Sequence, residues 1–78
     1  KDLQRMIRVD DHKLIVYPEA KVVRLYNVNM DPLELEDLAG NPENAALIRK
    51  LFKRLQQLQE EMADPLVLDE KFPKLAAG

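Results

Sequence analysis

Cysteine, serine, threonine and tryptophan are all absent from this chain, and only two of its 78 residues are glycine. Without cysteine there is no disulfide framework, no thiolate zinc site and no thiol nucleophile. Without serine or threonine there is no aliphatic hydroxyl nucleophile either, so hydrolysis of the serine, threonine or cysteine kind has no residue to start from. No apolar run approaches the roughly 20 residues a bilayer-spanning helix needs, so no membrane is expected as a partner. No charged-then-apolar leader opens the sequence. The chain begins at Lys1 rather than a methionine, and it is expected to be soluble and part of a longer protein. Twelve basic and fourteen acidic residues leave a formal net charge of -2. That balance offers no electrostatic footprint for nucleic acid, which is not an expected partner. A domain of this length buries only a little over about 60% of the surface its unfolded chain exposes. With no covalent or metal staple, some further contact is expected to complete its core.

What is present falls into ordered blocks. Residues 5–10, 13–17 and 22–28 are rich in β-branched and aromatic side chains and are separated by short polar breaks, the pattern of an antiparallel meander of three or four strands. Asp10, Asp11 and His12 supply the first turn. Pro18, Glu19, Ala20 and Lys21 supply the second, because proline cannot donate to a ladder. In the middle strand Leu14 and Val16 point to one face while Ile15 and Tyr17 point to the other. Both faces are therefore apolar and both want cover.

After a turn at Asn29, Met30, Asp31 and Pro32 comes an acidic connector, in which Leu33, Leu35 and Leu38 are expected to pin the segment to the sheet edge until Gly40 breaks it. Asn41 as N-cap, Pro42 at the first helical position and Glu43 in the first turn then start a helix over about residues 42–62. Leu47, Ile48, Leu51, Phe52, Leu55, Leu58 and Met62 recur at three- and four-residue steps along it. They give one apolar stripe on a helix of about 30 Å. One stripe covers one sheet face. Asp64 and Pro65 stop the helix, and residues 63–78, which carry Pro73 and no clear period, are expected to be an extended or disordered tail. The fold class is α+β, a small meander with one long C-terminal amphipathic helix packed on one face.

Three charged clusters invite a chemical reading, and each has a plainer one. Asp10, Asp11 and His12 bring two carboxylates beside an imidazole, but consecutive residues do not converge on a metal and no second ligand set stands ready; a solvated hairpin turn accounts for them. Arg49, Lys50, Lys53 and Arg54 form a basic band that would attract phosphate or sulfate groups. Glu60 and Glu61 follow closely and no aromatic is interleaved, so a solvated helix face accounts for the band. Glu34, Glu36 and Asp37 are close enough in sequence for acid and base work, yet nothing supplies a nucleophile or a group to stabilise developing charge.

The order of the blocks carries more than any cluster. Arg5 and Arg8 are followed by Lys13 to Ile15, then Tyr17 and Pro18, Leu25 to Asn27, Asp31 with Pro32 and Glu34, Leu38 with Ala39, and the helix from Asn41. In that order these elements resemble the C-terminal subdomain of a sulfatase, over about residues 5–62. Asp37 departs from the family pattern, which more often has asparagine before the Leu-Ala pair. The resemblance implies a parent that is a sulfuric ester hydrolase of the alkaline phosphatase superfamily. Such a parent uses formylglycine, made from the Cys or Ser of a Cys/Ser-x-Pro-x-Arg motif, and a calcium ion held by aspartate and asparagine. None of those positions is in this chain, so no catalytic, cofactor-binding or metal residue is carried over.

The resemblance further implies a noncatalytic subdomain, residues 1–62, packed beside a large α/β catalytic domain, with export to the periplasm or beyond. The expected contact residues are Leu14, Ile15, Val16, Tyr17, Leu25 and Tyr26, and the isolated chain is expected to self-associate through this face or its open strand edges. A free-standing small interaction module that dimerises through its sheet face or helix fits the same apolar surface. A small nucleic-acid or anion binder using Arg49 to Arg54 is a third, weaker reading.

Overall fold

The computed structural model describes residues 3–77; Lys1, Asp2 and Gly78 lie outside the described residues. Three antiparallel strands, β1 (Arg5–Val9), β2 (His12–Tyr17) and β3 (Val22–Asn27), form a meander in the order β1-β2-β3. A single 3-10 turn (Pro42–Asn44) leads into the long helix α1 (Ala45–Glu61), and a short helix α2 (Pro73–Ala77) closes the described chain. This is the small α+β architecture that the strand pattern and the helical stripe predict. Asp10 and Val28 fall in turns rather than at the ends of the first and third strands, and His12 shifts the other way. It stands in β2, opposite Val9 and Asn27, rather than in the turn. The turn itself is Asp10 and Asp11, with Asp10 in the left-handed region at φ 54°, which aspartate tolerates because its short side chain bonds locally.

Register decides which side chains meet. Ile7, Leu14 and Leu25 stand in one row across the sheet, and Val16 opposite Val23 in the next. These side chains form the front face, and α1 lies on it with Ile48, Leu51, Phe52 and Leu55 buried. Leu14, Val16 and Leu25 are fully enclosed there. As partner contacts these three are corrected: the helix already occupies their face. Ile15, Tyr17 and Tyr26 stand on the opposite, back face.

The expected start signals open the 3-10 turn rather than α1 itself, which begins at Ala45 with no side-chain cap from Asn44. The Asn41 side chain accepts from the Glu43 N–H at 2.9 Å, and Pro42 contributes no donor that would need a partner. The end of α1 is a Schellman arrangement: the Asp64 N–H reaches the Gln59 carbonyl at 2.8 Å, the Ala63 N–H reaches that of Glu60 at 3.2 Å, and Ala63 sits at φ 56°. The reversal falls one residue after Met62. Met62 therefore leaves the stripe and is 71% exposed, contrary to its expected place in the apolar face.

The segment after α1 is not the extended or disordered tail expected from its lack of period. It folds back along the helix. Leu68 and Phe72 are buried, and the Phe72 ring meets Phe52 edge-on, centroids 5.8 Å apart. Leu66 and Leu75 pack partly against the same cluster. The Lys71 and Phe72 N–H groups both reach the Leu68 carbonyl at 3.1 Å, and the Gln56 amide donates to Asp69. The apolar residues here lie in a loop and one turn of helix, so neither a two-residue nor a 3.6-residue period reveals them. They are the further contact that a core this small needs.

Leu68→Ala is expected to lower unfolding stability by about 2–4 kcal/mol, as for other enclosed leucines. That is a large share of the roughly 4–12 kcal/mol available to a domain of this length. Urea titration followed by circular dichroism measures it, and an unchanged midpoint would mean the segment contributes nothing to the core.

Candidate functional site

The back of the sheet is the surface with most to offer a partner. Ile15 and Tyr26 stand in it, each 6% exposed, opposite Arg24 and Lys13 on the neighbouring strands. Met6 opposite Ile15 and Val22 opposite Tyr17 are exposed. The Arg24 guanidinium lies 5.8 Å from the centre of the Tyr17 ring, within cation–π range. Tyrosine, arginine and methionine around a buried aliphatic floor is the composition of an interface core. A shallow hollow of about 360 Å3 opens between Tyr17, Val22, Arg24 and Glu34. No helix covers this face among the described residues.

The connector borders it and is held tightly. The Asn27 side chain accepts from the N–H groups of Asn29 and Met30 at 3.1 and 3.0 Å. Asp31 then accepts from Leu35 N–H at 3.1 Å and Glu36 N–H at 2.9 Å, one through each carboxylate oxygen. Glu34, at φ 57°, turns its carboxylate onto the Lys13 ammonium at 2.8 Å. Asp37 Oδ1 accepts from both Leu25 N–H and Ala39 N–H at 2.9 Å, while Leu38 N–H reaches the Leu25 carbonyl at 2.7 Å. The outer edge of β3 is thus satisfied at Leu25 by the connector. An asparagine at position 37 would present the same acceptor oxygen.

The connector leucines do not all pin it, as expected from their spacing. Leu38 packs against the core, but Leu33 and Leu35 stand in solvent, 76% and 81% exposed, as does Met30 at 82%. The backbone is fixed by carboxylate acceptors instead, and those free the leucines to point outward.

A second polar lock joins the two ends of the fold. Arg5 binds Asp64 through two hydrogen bonds, Nε to Oδ2 at 2.6 Å and Nη2 to Oδ1 at 3.1 Å. Asp64 also accepts from Leu66 N–H at 3.1 Å and from the Gln59 amide at 3.3 Å, and that amide satisfies the Leu66 carbonyl at 3.0 Å. The Arg5 hydrogen bond first, and the Leu66 N–H second, hold the Asp64 carboxyl well below the usual carboxylate range against a small opposing effect of burial. Sequence reading missed this site. The only signals were a polar Gln59 on the apolar side of a helix and Asp64 directly before a proline.

The three charged clusters do not assemble into a reactive centre. Glu34, Glu36 and Asp37 diverge: one meets Lys13, one faces solvent and one caps backbone amides. Among the described residues no three histidine, aspartate or glutamate side chains gather as metal ligands, Asp10, Asp11 and His12 included. In the basic band Arg54 lies 3.8 Å from Glu61, with both side chains exposed. No helix among the described residues is long and apolar enough to cross a membrane. The chain matches no protein-family model, and no curated protein matches it significantly.

Asp37→Ala is expected to cost about 1–2 kcal/mol of stability by leaving the Leu25 and Ala39 N–H groups without their acceptor. Asp37→Asn is expected to cost under about 0.5 kcal/mol, because the acceptor oxygen remains. Parallel denaturation curves of the two variants check the difference. For Asp64, the folded-state pKa lies below the unfolded value of about 3.9, so its contribution is complete above that value and is lost as the pH falls through the folded one. The stability gap between the native chain and Asp64→Asn is therefore expected to be constant from pH 5 to 8 and to close in strong acid. A gap that instead shrinks between pH 5 and 8 would contradict the Arg5–Asp64 lock.

Proposed function

We propose that the chain is the noncatalytic C-terminal subdomain of a sulfatase-like hydrolase, seated through the back of its sheet against the catalytic α/β domain of the parent. The observation that carries this reading is the connector. Asp31, Glu34 and the Leu38-Ala39 pair, on which the resemblance chiefly rests, each have a distinct part in shaping the crossing from β3 to α1, and Asp37, which departs from the family pattern, still offers the acceptor oxygen that an asparagine would. A pattern in which every element has such a task is one that a family repeats for structural reasons. The back face, with Arg24 over Tyr17 beside Ile15 and Tyr26, supports a large protein surface as the neighbour.

The parent reaction in this reading is hydrolysis of sulfate esters. The chain's own residues do not fit the groups that chemistry uses. There is no cysteine or serine from which formylglycine is made, and among the described residues no carboxylate cluster suits calcium. The role left to this chain in this reading is structural, covering one side of the catalytic domain.

Sequencing the coding DNA upstream of Lys1 tests the reading. The expected result is an open frame of several hundred codons containing a Cys/Ser-x-Pro-x-Arg motif. A start codon immediately before Lys1 would overturn it and leave a free-standing interaction module.

A further inference from the structure

The connector poses a physical problem that packing against a catalytic domain through the sheet does not address. Met30, Leu33 and Leu35 are three of the most exposed large apolar side chains of the chain, and they fall within six residues. An idle surface loop with such side chains would fold them inward or stay loose. This one is tied at Asn27, Asp31 and Asp37 and accepts a non-glycine residue, Glu34, at φ 57° to keep its shape. Strain of that kind is retained where a particular presentation matters. A segment already fixed in one shape gives up little entropy when it docks.

The loop's charge narrows what it fits. The Asp31 and Asp37 carboxylates are taken by backbone N–H groups, and Glu34 is taken by Lys13. Glu36 has no side-chain partner among the described residues and is exposed. The complement is an apolar recess with a cationic rim. One exists on this chain. Val9 and Leu51 floor a recess of about 280 Å3 beside α1, and Lys50, Lys53 and Arg54 stand around it. Lys50 and Lys53 have no ion pair among the described residues, and Arg54 only the long contact to Glu61. The loop cannot reach the recess of its own molecule. Glu34 fastens the loop to Lys13 on the back of the sheet, whereas the recess opens on the helix side.

We propose that the Met30–Glu36 loop of one copy docks its leucines into the Lys50–Lys53–Arg54 recess of a second copy, with Glu36 meeting the cationic rim. The loop and the recess are different surfaces, so the contact is heterologous, and each added copy leaves one of each free until a ring closes. The basic band on α1 is then a docking rim rather than a solvated face. This inference goes beyond the proposed function and does not rest on it.

Sedimentation equilibrium of the 78-residue chain from about 10 μM to 1 mM tests the inference, at about 50 and 500 mM salt to vary screening. The expected result is a weight-average mass that rises with concentration and rises less at high salt. Leu33→Ser with Leu35→Ser, and separately Lys50→Glu with Lys53→Glu, are each expected to weaken association by about tenfold or more. Glu36→Lys mixed with Lys53→Glu is expected to associate better than either variant alone. Val22→Ser with Arg24→Ser, on the back face, is expected to change nothing. All these positions are exposed or half-buried, and circular dichroism confirms that the variants fold. A monomer throughout overturns the proposal, as does association that survives the leucine changes or is lost in the Val22 and Arg24 variant. None of these outcomes touches the upstream reading frame, so this inference and the proposed function fail separately.

Discussion

Everything in this fold depends on one dry layer between the front of a three-stranded sheet and one side of α1. A sheet so narrow has two edges and two faces, and a single helix covers one face. Leu14, Val16 and Leu25 meet Ile48, Leu51, Phe52 and Leu55 across that layer. Each such side chain is worth about 1.5–3 kcal/mol when enclosed, and the entropy of ordering the chain opposes the sum. The layer is therefore sensitive to its rim. Leu68 and Phe72 close one side of it, and the Arg5–Asp64–Gln59 lock holds the returning chain where those two can reach. Removing the lock would not expose a strand directly. It would loosen the segment that keeps water from the helix.

The same constraint explains why carboxylates carry so much of the local structure. With two glycines and no serine or threonine, turns and caps that those residues usually make fall to aspartate and asparagine. Asn27, Asp31, Asp37, Asn41 and Asp64 each accept at least one backbone N–H. The acidic character of the connector is thus mostly structural. Sequence proximity of Glu34, Glu36 and Asp37 suggested shared chemistry, but their side chains are assigned to three separate tasks.

The strands and α1 were legible because their signals are local and periodic. Alternation placed Leu14 and Val16 against Ile15 and Tyr17, and Asn41, Pro42 and Glu43 marked the 3-10 turn that leads into α1. The tail was not legible, since Leu66, Leu68, Phe72 and Leu75 are held by tertiary contact with α1 and follow no period. Nor was the fate of Leu33 and Leu35. Their spacing allowed either burial or display, and the choice was made by Asp31 and Asp37, whose acceptors fix the backbone without the leucines. Of the six residues expected at an interface, the pattern could not say which face α1 would take. Register against Ile7 and Val23 settles that, leaving Ile15, Tyr17 and Tyr26 for the back.

Two surfaces remain once the dry layer is complete, and they differ in kind. The back face is broad, with Ile15 and Tyr26 buried in it and a shallow hollow beside Tyr17 and Arg24, so it suits a large neighbour whose own surface fills that relief. The connector is narrow and protruding, with its apolar side chains held away from the fold, so it suits a recess. A chain of 78 residues cannot bury both on itself, because the helix and the tail that would be needed are spent on the front. The proposed parent domain and the proposed second copy would each take one of the two surfaces that this shortage of covering elements leaves open.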